Sequence, residues 1–252
     1  MKLRLDELLV QRDLAPDLSR ARAMIGAGEV YVEDAIADKS GQRYTFDSHI
    51  RIRDKCRYVS RGGLKLEKGL DHFRIDVHNA ICLDVGASSG GFTDCLLQAG
   101  AAKVFAVDVA YGQLDWKIRQ DPRVIVFERF NARNLQPGTL GVQIDFAVMD
   151  TSFISITSII PVLLPLFIPN NISLVALIKP QFELPKVKVG KGGVVREPEL
   201  HQLAIDKIRQ FSEEHHLIFH GATDSPILGP KGNREFLAYI TSPSMHCQSA
   251  GK

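Results

Sequence analysis

Leu83-Asp84-Val85-Gly86-Ala87-Ser88-Ser89-Gly90-Gly91-Phe92 is the stretch of this chain that decides its fold. An apolar, strand-like run ends in a glycine-rich turn, and the turn opens a helix. Such turns hold nucleotide-like ligands at the carboxyl edge of α/β sheets, where glycine lets the backbone approach the ligand closely. The next strand-like run contains Asp108, whose carboxylate can accept both hydroxyls of an adenosine ribose. The stretch therefore predicts a site for an adenosine-containing ligand.

The glycine spacing differs from the dinucleotide fingerprint. Gly86, Gly90 and Gly91 lack the early Gly-x-Gly that brings a pyrophosphate onto a helix N-terminus. A turn without a phosphate cradle, followed by a ribose-binding acid, favours S-adenosylmethionine over NAD as the cofactor. A glycine turn that serves only packing remains the alternative at this point.

From residue 80 onward, apolar runs rich in β-formers alternate with helical stretches such as Phe92–Ala99 and Ile159–Phe167. This alternation predicts an α/β fold with a mostly parallel, Rossmann-like sheet that is covered on both faces. The predicted strands are Ile81–Val85, Lys103–Val109, Val124–Phe127, Asp145–Met149, Ser173–Ile178 and Phe236–Ile240.

The first 55 or so residues have a different pattern. Leu5, Leu8 and Leu9 are spaced for one face of a short helix, and a second helix is expected to end at Gly26-Ala27-Gly28. Val30-Tyr31-Val32 predicts a short strand. The pattern indicates a small α+β unit with arginines on its surface.

The net charge is only +2, but residues 51–68 hold seven basic side chains against Asp54 and Glu67. Such a local excess can neutralise several phosphates of a nucleic acid, although a solvated basic linker would look the same. Within this segment, Arg61-Gly62-Gly63 predicts a hinge, with a helix starting near Leu64.

Composition excludes several classes of protein. With 45% hydrophobic and 24% charged residues, and no apolar run of 18 residues, the chain is typical of a globular protein without a membrane span. The N-terminus has no apolar segment of the secretory kind, so we expect a cytoplasmic protein with no membrane partner. The four cysteines are scattered, and neither a metal site nor a disulfide framework is expected.

Four ionisable residues stand out because of where the predicted strands place them. Asp150 and Lys179 directly follow two strands, so both should lie at the carboxyl edge of the sheet beside the glycine turn. Glu235 precedes the last strand and reaches the same edge if that strand is antiparallel. Lys65, on the helix before the first strand, can fold over the same cleft.

Two lysines and two carboxylates beside a sulfonium methyl donor make chemical sense. A hydroxyl is a poor nucleophile unless a base accepts its proton, and a lysine amine can do so when desolvation and a neighbouring cation lower its pKa. The carboxylates would then orient the lysines. Each residue alone would be read as a surface ion pair, so the prediction depends on all four converging.

In its motifs the chain resembles the TlyA family, often labelled hemolysin A, over residues 2 to about 240. Its members are ribosomal RNA 2'-O-methyltransferases that join an S-four-type RNA-binding domain to an FtsJ-like methyltransferase domain. The resemblance rests on Tyr58-Val59-Ser60-Arg61-Gly62-Gly63-Leu64-Lys65-Leu66, Asp84–Asp94, Val107–Leu114, Lys179-Pro180-Gln181-Phe182-Glu183, Gly190–Arg196 and Gly229–Phe236.

The resemblance implies a class I methyltransferase with the domains 1–58, a hinge 59–63, a catalytic part 64–242 and a flexible tail 243–252. It implies the catalytic tetrad Lys65, Asp150, Lys179 and Glu235. The implied S-adenosylmethionine site comprises Asp84, Gly86, Ser88, Gly90, Gly91, Phe92, Asp108 and Asn131. The implied RNA-binding arginines are Arg4, Arg20, Arg22, Arg57 and Arg61, with ribosomal RNA or a ribosomal subunit as the partner.

Two other readings stay open on sequence. One is a non-enzymatic RNA-binding factor for ribosome assembly that retains an inactive Rossmann-like domain. The other is a secreted hemolysin, against which stands the lack of a secretion signal and of an amphipathic membrane-inserting segment.

Overall fold

The computed structural model describes residues 2–26, 28–52 and 56–243. The chain forms two compact units, Met1–Arg57 and Tyr58–Lys252. Of the basic segment singled out above, Arg53 and Lys55 lie outside the described residues, as does the predicted tail beyond residue 243.

The N-terminal unit is an α+β unit built on two short helices. Leu5, Leu8 and Leu9 are fully buried on the first helix, as their spacing predicts. Two small antiparallel sheets, β1 with β4 and β3-β2-β5, accompany the helices. The elements are β1 (Lys2–Arg4), α1 (Leu5–Gln11), α2 (Leu18–Gly26), β2 (Val30–Val32), β3 (Ala35–Ile36), β4 (Arg43–Thr45) and β5 (Ile50–Ile52).

The larger unit alternates strands and helices around one sheet. Its helices are α3 (Gly62–Phe73), α4 (Gly91–Gln98), α5 (Trp116–Arg119), α6 (Ile160–Leu163), α7 (Pro180–Glu183) and α8 (Pro198–Glu214). Its strands are β6 (Ile81–Val85), β7 (Lys103–Val107), β8 (Val124–Phe127), β9 (Phe146–Met149), β10 (Ser173–Ile178), β11 (Ile218–Asp224) and β12 (Phe236–Thr241).

The seven strands lie in the order β11-β12-β10-β9-β6-β7-β8. Strands β8, β7, β6, β9 and β10 are parallel to one another, whereas β12 is antiparallel to both β10 and β11. The predicted α/β class with a mostly parallel sheet is thereby confirmed. The order reverses between β6 and β9, which is the point where open α/β sheets bind their ligands.

The core explains why the central strands read as continuous apolar runs. Every residue of Leu174–Ile178 is fully buried, because helices cover both faces of the sheet. Each fully buried Leu, Ile or Val contributes about 1.5–3 kcal/mol relative to an exposed one.

Strand β7 ends at Val107, two residues before its predicted end, and two helix boundaries also differ from the sequence-based expectation. The helix predicted to start near Leu64 begins at Gly62, inside the expected hinge. The backbone N–H of Val59 donates to the Asp94 carboxylate (2.8 Å), and Tyr58 is buried. Tyr58 and the residues after it are therefore packed parts of the catalytic unit, because backbone and ring contacts hold them against α3 and α4.

The second difference concerns the helix expected over residues 159–167. The structure has only a four-residue helix, α6, followed by a 3-10 turn at Leu164–Leu166, because Pro165 lacks the backbone N–H that would continue the helix. Among the described residues, no helix is long and apolar enough to cross a membrane.

Candidate active site

The glycine-rich turn between β6 and α4 lies against the end of strand β9. Gly86 has φ +86°, and a Cβ there would come within 2.6 Å of the Asp150 carbonyl oxygen. Gly90 also has a left-handed φ, +91°, and caps α4. A side chain at residue 86 would push the turn away from β9, so glycine sets how closely the turn and Asp150 approach.

Asp108 stands immediately after strand β7 and ties the turn to the next loop. Its carboxylate accepts the backbone N–H of Ser88 (2.7 Å) and that of Ala110 (2.7 Å). Each carboxylate oxygen can accept a further hydrogen bond. The Asp108 carboxylate is therefore fixed in place yet still able to bind two hydroxyl groups.

Two adjoining cavities flank the turn, one of about 430 Å³ and one of about 400 Å³, and Gly86, Ser88 and Asp150 line both. The larger also has Lys65, Gly91 and Phe92 in its wall, and the smaller has Asp108 and Asn131. Their size suits a small-molecule ligand. Together they form one cleft at the carboxyl edge of the sheet.

Two residues expected at the cofactor lie elsewhere. Gly90 faces the side chains of Leu114 and Ile118. Asp84 is fully buried beneath the turn, where the Thr93 hydroxyl donates to it (2.6 Å). Burial raises the pKa of the Asp84 carboxyl to about 7, and the nearby Asp150 carboxylate adds to the rise. Both residues support the turn from below and do not line the cleft.

The four polar residues singled out from the strand ends lie side by side in this cleft. Lys179 Nζ is 2.5 Å from Asp150 Oδ1. Lys65 Nζ is 3.9 Å from Asp150 Oδ2 and 2.6 Å from Glu235 Oε2. The result is a row, Glu235–Lys65–Asp150–Lys179, in which cations and anions alternate. We call this row the tetrad.

Strand pairing explains why the tetrad converges. Strands β9 and β10 are parallel neighbours, so Asp150 and Lys179 leave the sheet at the same edge. Strand β12 is antiparallel, and Phe236 pairs with Ile178, which places Glu235 beside Lys179 in the sheet register. The antiparallel orientation on which the sequence argument depended is confirmed.

Lys65 arrives from helix α3, which packs closely on the sheet. A Cβ on Gly69 would lie 3.3 Å from a Leu237 methyl group, so a glycine at this position lets the helix approach β12. The Lys65 ammonium thereby reaches the Glu235 carboxylate, whose side chain is fully buried. Two cations balance two anions, which offsets the desolvation cost that an unpaired buried charge would carry.

Glu235 also depends on a glycine. A Cβ on Gly229 would overlap the Glu235 carboxylate, so only glycine at residue 229 leaves space for it. This contact comes from the loop before β12, and the sequence motif Gly229–Phe236 contains both partners. The motif thus contains both Glu235 and the glycine that leaves space for its carboxylate.

Phe153, which the sequence analysis missed, stands out beside the tetrad. It is 90% exposed, it lines the smaller cavity and its φ is +67°, a left-handed conformation that bulky side chains rarely adopt. Its ring packs on that of Phe182 at a centroid distance of 5.2 Å. Sequence offers only a weak signal, an aromatic residue three positions after Asp150, because exposure and φ are not readable from it.

The arginines expected on the N-terminal unit are held in ion pairs. Arg4 donates to both oxygens of Asp6 (3.0 and 2.9 Å), and Arg22 Nε donates to Asp6 Oδ2 (2.8 Å). Asp6 is fully buried, and the hydrogen bond from Arg4 holds its pKa well below the usual range. Arg20 lies 3.6 Å from Glu29. Asp6 therefore orients two guanidinium groups whose outer faces remain exposed.

The other two arginines flank the start of the catalytic unit. Arg57 is exposed. Arg61 precedes α3 as its N-terminal flanking residue and lines the larger cavity together with Ser60 and Gly62. A cationic side chain therefore stands at the wall of the cleft that holds the tetrad.

A parallel sheet with one antiparallel strand near its edge, a glycine turn after the first central strand and an acid after the second define a Rossmann-like methyltransferase. The model of the FtsJ-like methyltransferase family matches residues 58–241. YqxC of Bacillus subtilis, named as a candidate rRNA methyltransferase, is 46% identical over 96% of this chain and 86% of that protein.

TlyA of Mycobacterium tuberculosis, named a 16S/23S rRNA (cytidine-2'-O)-methyltransferase, is 41% identical over 99% of this chain and 93% of that protein. A solved structure from Streptococcus thermophilus, named as a candidate hemolysin, has 39% identity and a TM-score of 0.74, covering 96% of this chain and 89% of that one. The chain belongs to the FtsJ-like methyltransferases and, among them, to the TlyA family.

Proposed function

We propose that this protein transfers the methyl group of S-adenosylmethionine to a ribose 2'-hydroxyl of ribosomal RNA. The observation that carries the proposal is the tetrad, because it places a paired lysine at the edge of a cleft beside the glycine turn. The name of the M. tuberculosis relative supports the 2'-hydroxyl of ribosomal RNA as the acceptor.

The residues of the cleft fit S-adenosylmethionine. Gly86 leaves room where a Cβ would collide with the backbone of Asp150, and Asp108 presents a fixed carboxylate to ribose hydroxyls. Asn131, which lines the same cavity, is the candidate for the adenine edge. When bound, S-adenosylmethionine supplies a sulfonium-activated methyl group.

Lys179 is the residue that we assign to the acceptor proton. Its Nζ is held by Asp150 and donates to the Ser152 hydroxyl (3.0 Å), so its position is fixed before any acceptor arrives. The cofactor would supply the methyl group and leave as S-adenosylhomocysteine when its sulfur–carbon bond breaks. The Lys179 Nζ, after releasing one of its own protons to solvent, would take the proton that the ribose hydroxyl gives up. General-base help of this kind contributes about 10²–10⁴-fold, and positioning supplies much of the remainder.

The other three members of the tetrad orient Lys179 and do not take the proton. Asp150 holds the lysine directly, and Lys65 bridges Asp150 to Glu235. Because Glu235 is buried and seated against Gly229, it fixes the far end of the row. A fixed row of charges costs no reorganisation at the moment of reaction.

Phe153 is the candidate platform for the acceptor base. RNA bases that are read or modified are splayed out of the stack, and exposed aromatic rings stack on them at about 1–3 kcal/mol per base. An aromatic side chain that is exposed at the mouth of the cleft, three residues from Asp150, suits this role.

The N-terminal unit is the candidate RNA-binding domain, of the S-four type that the resemblance implies. Arg4, Arg20 and Arg22 present guanidinium groups to phosphates. Arg57, the last residue of this unit, and Arg61, in the catalytic unit, are further candidates for phosphate contacts. Each phosphate that they neutralise releases counterions, so binding should weaken as salt concentration rises.

The decisive experiment is the Lys179→Ala variant, assayed for 2'-O-methyl groups on ribosomal RNA by site mapping. We expect transfer to fall by at least about 10²-fold, because the proton acceptor is lost, while S-adenosylmethionine still binds in a calorimetric titration. Lys103→Ala is the matched control, because Lys103 starts strand β7 at the opposite edge of the sheet.

Unchanged turnover in Lys179→Ala would remove that residue from the mechanism. A wild-type protein that neither takes up S-adenosylmethionine nor methylates ribosomal RNA would overturn the proposed activity and favour the non-enzymatic assembly factor.

A further inference from the structure

Two segments that follow neighbouring strands, one a loop and the other ending in helix α7, carry the acceptor side of the cleft. One follows β9 and runs from Asp150 to Ser155, and the other follows β10 and runs from Lys179 to Glu183. They are joined at three levels. Lys179 contacts Asp150 and Ser152, the Phe182 ring contacts the Phe153 ring, and Glu183 contacts Ser155 and Ile156.

Glu183 makes the third of these connections with a carboxylate that is almost completely buried, its side chain being 1% exposed. Oε2 accepts the Ser155 hydroxyl (2.5 Å), and Oε1 accepts the backbone N–H of Ile156 (2.9 Å). Both donors follow Phe153 within three residues. Glu183 therefore anchors the exit of the loop that begins at Asp150.

Lys207 on helix α8 supplies the matching charge. Its Nζ lies 2.9 Å from Glu183 Oε2, and it also donates to the Glu183 carbonyl oxygen (2.8 Å) and the Ser155 hydroxyl (3.1 Å). A buried carboxylate is stable only when such partners compensate its desolvation. Glu183, Lys207 and Ser155 form a closed network, which we call the loop clamp.

The loop clamp explains how Phe153 keeps an unfavourable conformation. A phenylalanine at φ +67° with its ring in solvent gains little from its own burial. Backbone strain of this kind persists only where the flanking structure fixes it, and it concentrates at functional sites. Here Lys179 of the tetrad holds Ser152, the residue before Phe153. The loop clamp holds Ser155 and Ile156, which follow Phe153 and Ile154.

We propose that Glu183 is a positioning residue that holds Phe153 for the acceptor nucleotide and thereby sets acceptor engagement without contributing to cofactor binding. This inference rests on the proposed function, since it assumes an RNA acceptor at the tetrad. The Glu183 contacts reach the loop of Asp150 and helix α8, and none of the hydrogen bonds described for its side chain reaches the glycine turn.

The test is a double-mutant cycle between Glu183→Gln and Phe153→Leu in the full-length protein, with ribosomal RNA as the acceptor. Glutamine keeps the shape but loses the charge that Lys207 requires. We expect the KM for RNA to rise about tenfold in Glu183→Gln, while kcat changes by less than about threefold. The dissociation constant of S-adenosylmethionine should stay within about twofold of wild type.

If Glu183 acts through Phe153, the effects of the two substitutions on the KM for RNA must not multiply. In the Phe153→Leu background, Glu183→Gln should therefore raise the KM by less than about twofold. A KM that is unchanged in Glu183→Gln, or effects that multiply across the cycle, would overturn the inference. A rise in the KM for RNA together with an equal loss of S-adenosylmethionine affinity would also overturn the inference, because a purely structural role predicts that pattern.

Ser155→Ala tests the same network and leaves the ion pair between Glu183 and Lys207, while it removes the hydroxyl that donates to Glu183 and accepts the Thr157 backbone N–H. It should raise the KM for RNA about threefold and leave kcat and the dissociation constant of S-adenosylmethionine nearly unchanged. Glu214→Gln is the matched control, because Glu214 is exposed at the end of α8 and bonds only to Gln210 among the interactions described. If the wild type methylates RNA and Glu183→Gln leaves the KM for RNA unchanged, only this inference is rejected. If the wild type is inactive, the proposed function is rejected.

Discussion

Each unit holds two cations on one carboxylate, Asp6 in the N-terminal unit and Asp150 in the catalytic unit, yet the two units present those cations differently. In the N-terminal unit, Asp6 is fully buried while the Arg4 and Arg22 side chains are 38% and 55% exposed. In the catalytic unit, Lys65 and Lys179 are 10% and 8% exposed. Exposed, delocalised guanidinium groups can bind phosphates, whereas an ammonium group shielded from water can take part in proton transfer.

The difference teaches that exposure of the cation, and not the pairing itself, separates the two kinds of site. Arginine stays charged and keeps free donors on its outer face after pairing with Asp6. Each lysine of the tetrad is largely buried and pairs with at least one carboxylate, so its geometry depends on tightly packed neighbours. The tetrad should therefore be far more sensitive to small steric changes than the arginine surface.

The largest effect that we expect is on the tetrad, from Gly229→Ala. The new methyl group overlaps the Glu235 carboxylate and displaces it, and Lys65 moves with it. A misplacement of about 1 Å can cost about 10²-fold, so kcat for methyl transfer should fall about that much. Single-turnover assays with saturating RNA would measure it.

Gly26→Ala is the matched control, because a Cβ at residue 26 meets open space and should leave kcat unchanged. A fully active Gly229→Ala variant would show that the tetrad does not need the space that Gly229 leaves for the Glu235 carboxylate.

An intermediate effect is expected on the arginine surface, from Arg22→Gln. The variant should raise the KM for ribosomal RNA about threefold to tenfold without changing kcat, because a phosphate contact is lost and the tetrad is untouched. The slope of log affinity against log salt concentration should fall by about 1. Filter binding across a salt series would provide both numbers.

Arg209→Gln provides the comparison for Arg22→Gln, since Arg209 is an exposed arginine that pairs with Asp206 on α8. An equal change of the salt slope in both variants would mean that the protein binds RNA by diffuse charge and has no dedicated surface on the N-terminal unit.

The smallest effect concerns Asp84, a buried carboxylate that lacks the cations found in both of these sites. Its pKa is raised from 3.8 to about 7, so between these pH values the folded protein holds a proton that the unfolded chain has lost. Stability therefore decreases as pH rises through this window. Asp84→Asn cannot titrate and should show a decline in Tm that is smaller by about 4 °C between pH 5 and 8.

Differential scanning calorimetry of Asp84→Asn and of the exposed control Asp206→Asn would test this expectation. Identical pH profiles for wild type and Asp84→Asn would indicate that the Asp84 carboxyl keeps its ordinary acidity in spite of its burial.

Much of the cleft could be predicted because its residues follow strand ends. Asp150 and Lys179 each come directly after a predicted strand, and Asp108 lies near the end of another, the predicted strand Lys103–Val109. Parallel strands bring such residues to one edge. The roles assigned to them remain predictions until variants are assayed. Glu235 required one additional fact, the antiparallel orientation of β12, which the apolar run Phe236–Ile240 cannot reveal by itself.

Other features could not be predicted because they arise from contacts between distant segments. The sequence analysis treated Arg4 and Arg22 as surface residues, and only the fold shows that Asp6 holds both. Phe153 was missed for the same reason, since its exposure and its left-handed φ depend on Glu183, about thirty positions away in sequence. Pairing partners and burial are properties of the packed chain.

The sequence by itself determined the α/β class, the place of the glycine turn and the strand ends that carry the polar residues, because these depend on short-range periodicity and on the residues next to each strand. Only the tertiary structure decided which charges are enclosed and which are exposed. That outcome depends on the antiparallel β12, on the seat that Gly229 leaves for Glu235 and on the contact of Glu183 with Ser155, and each of these joins segments that local patterns treat separately.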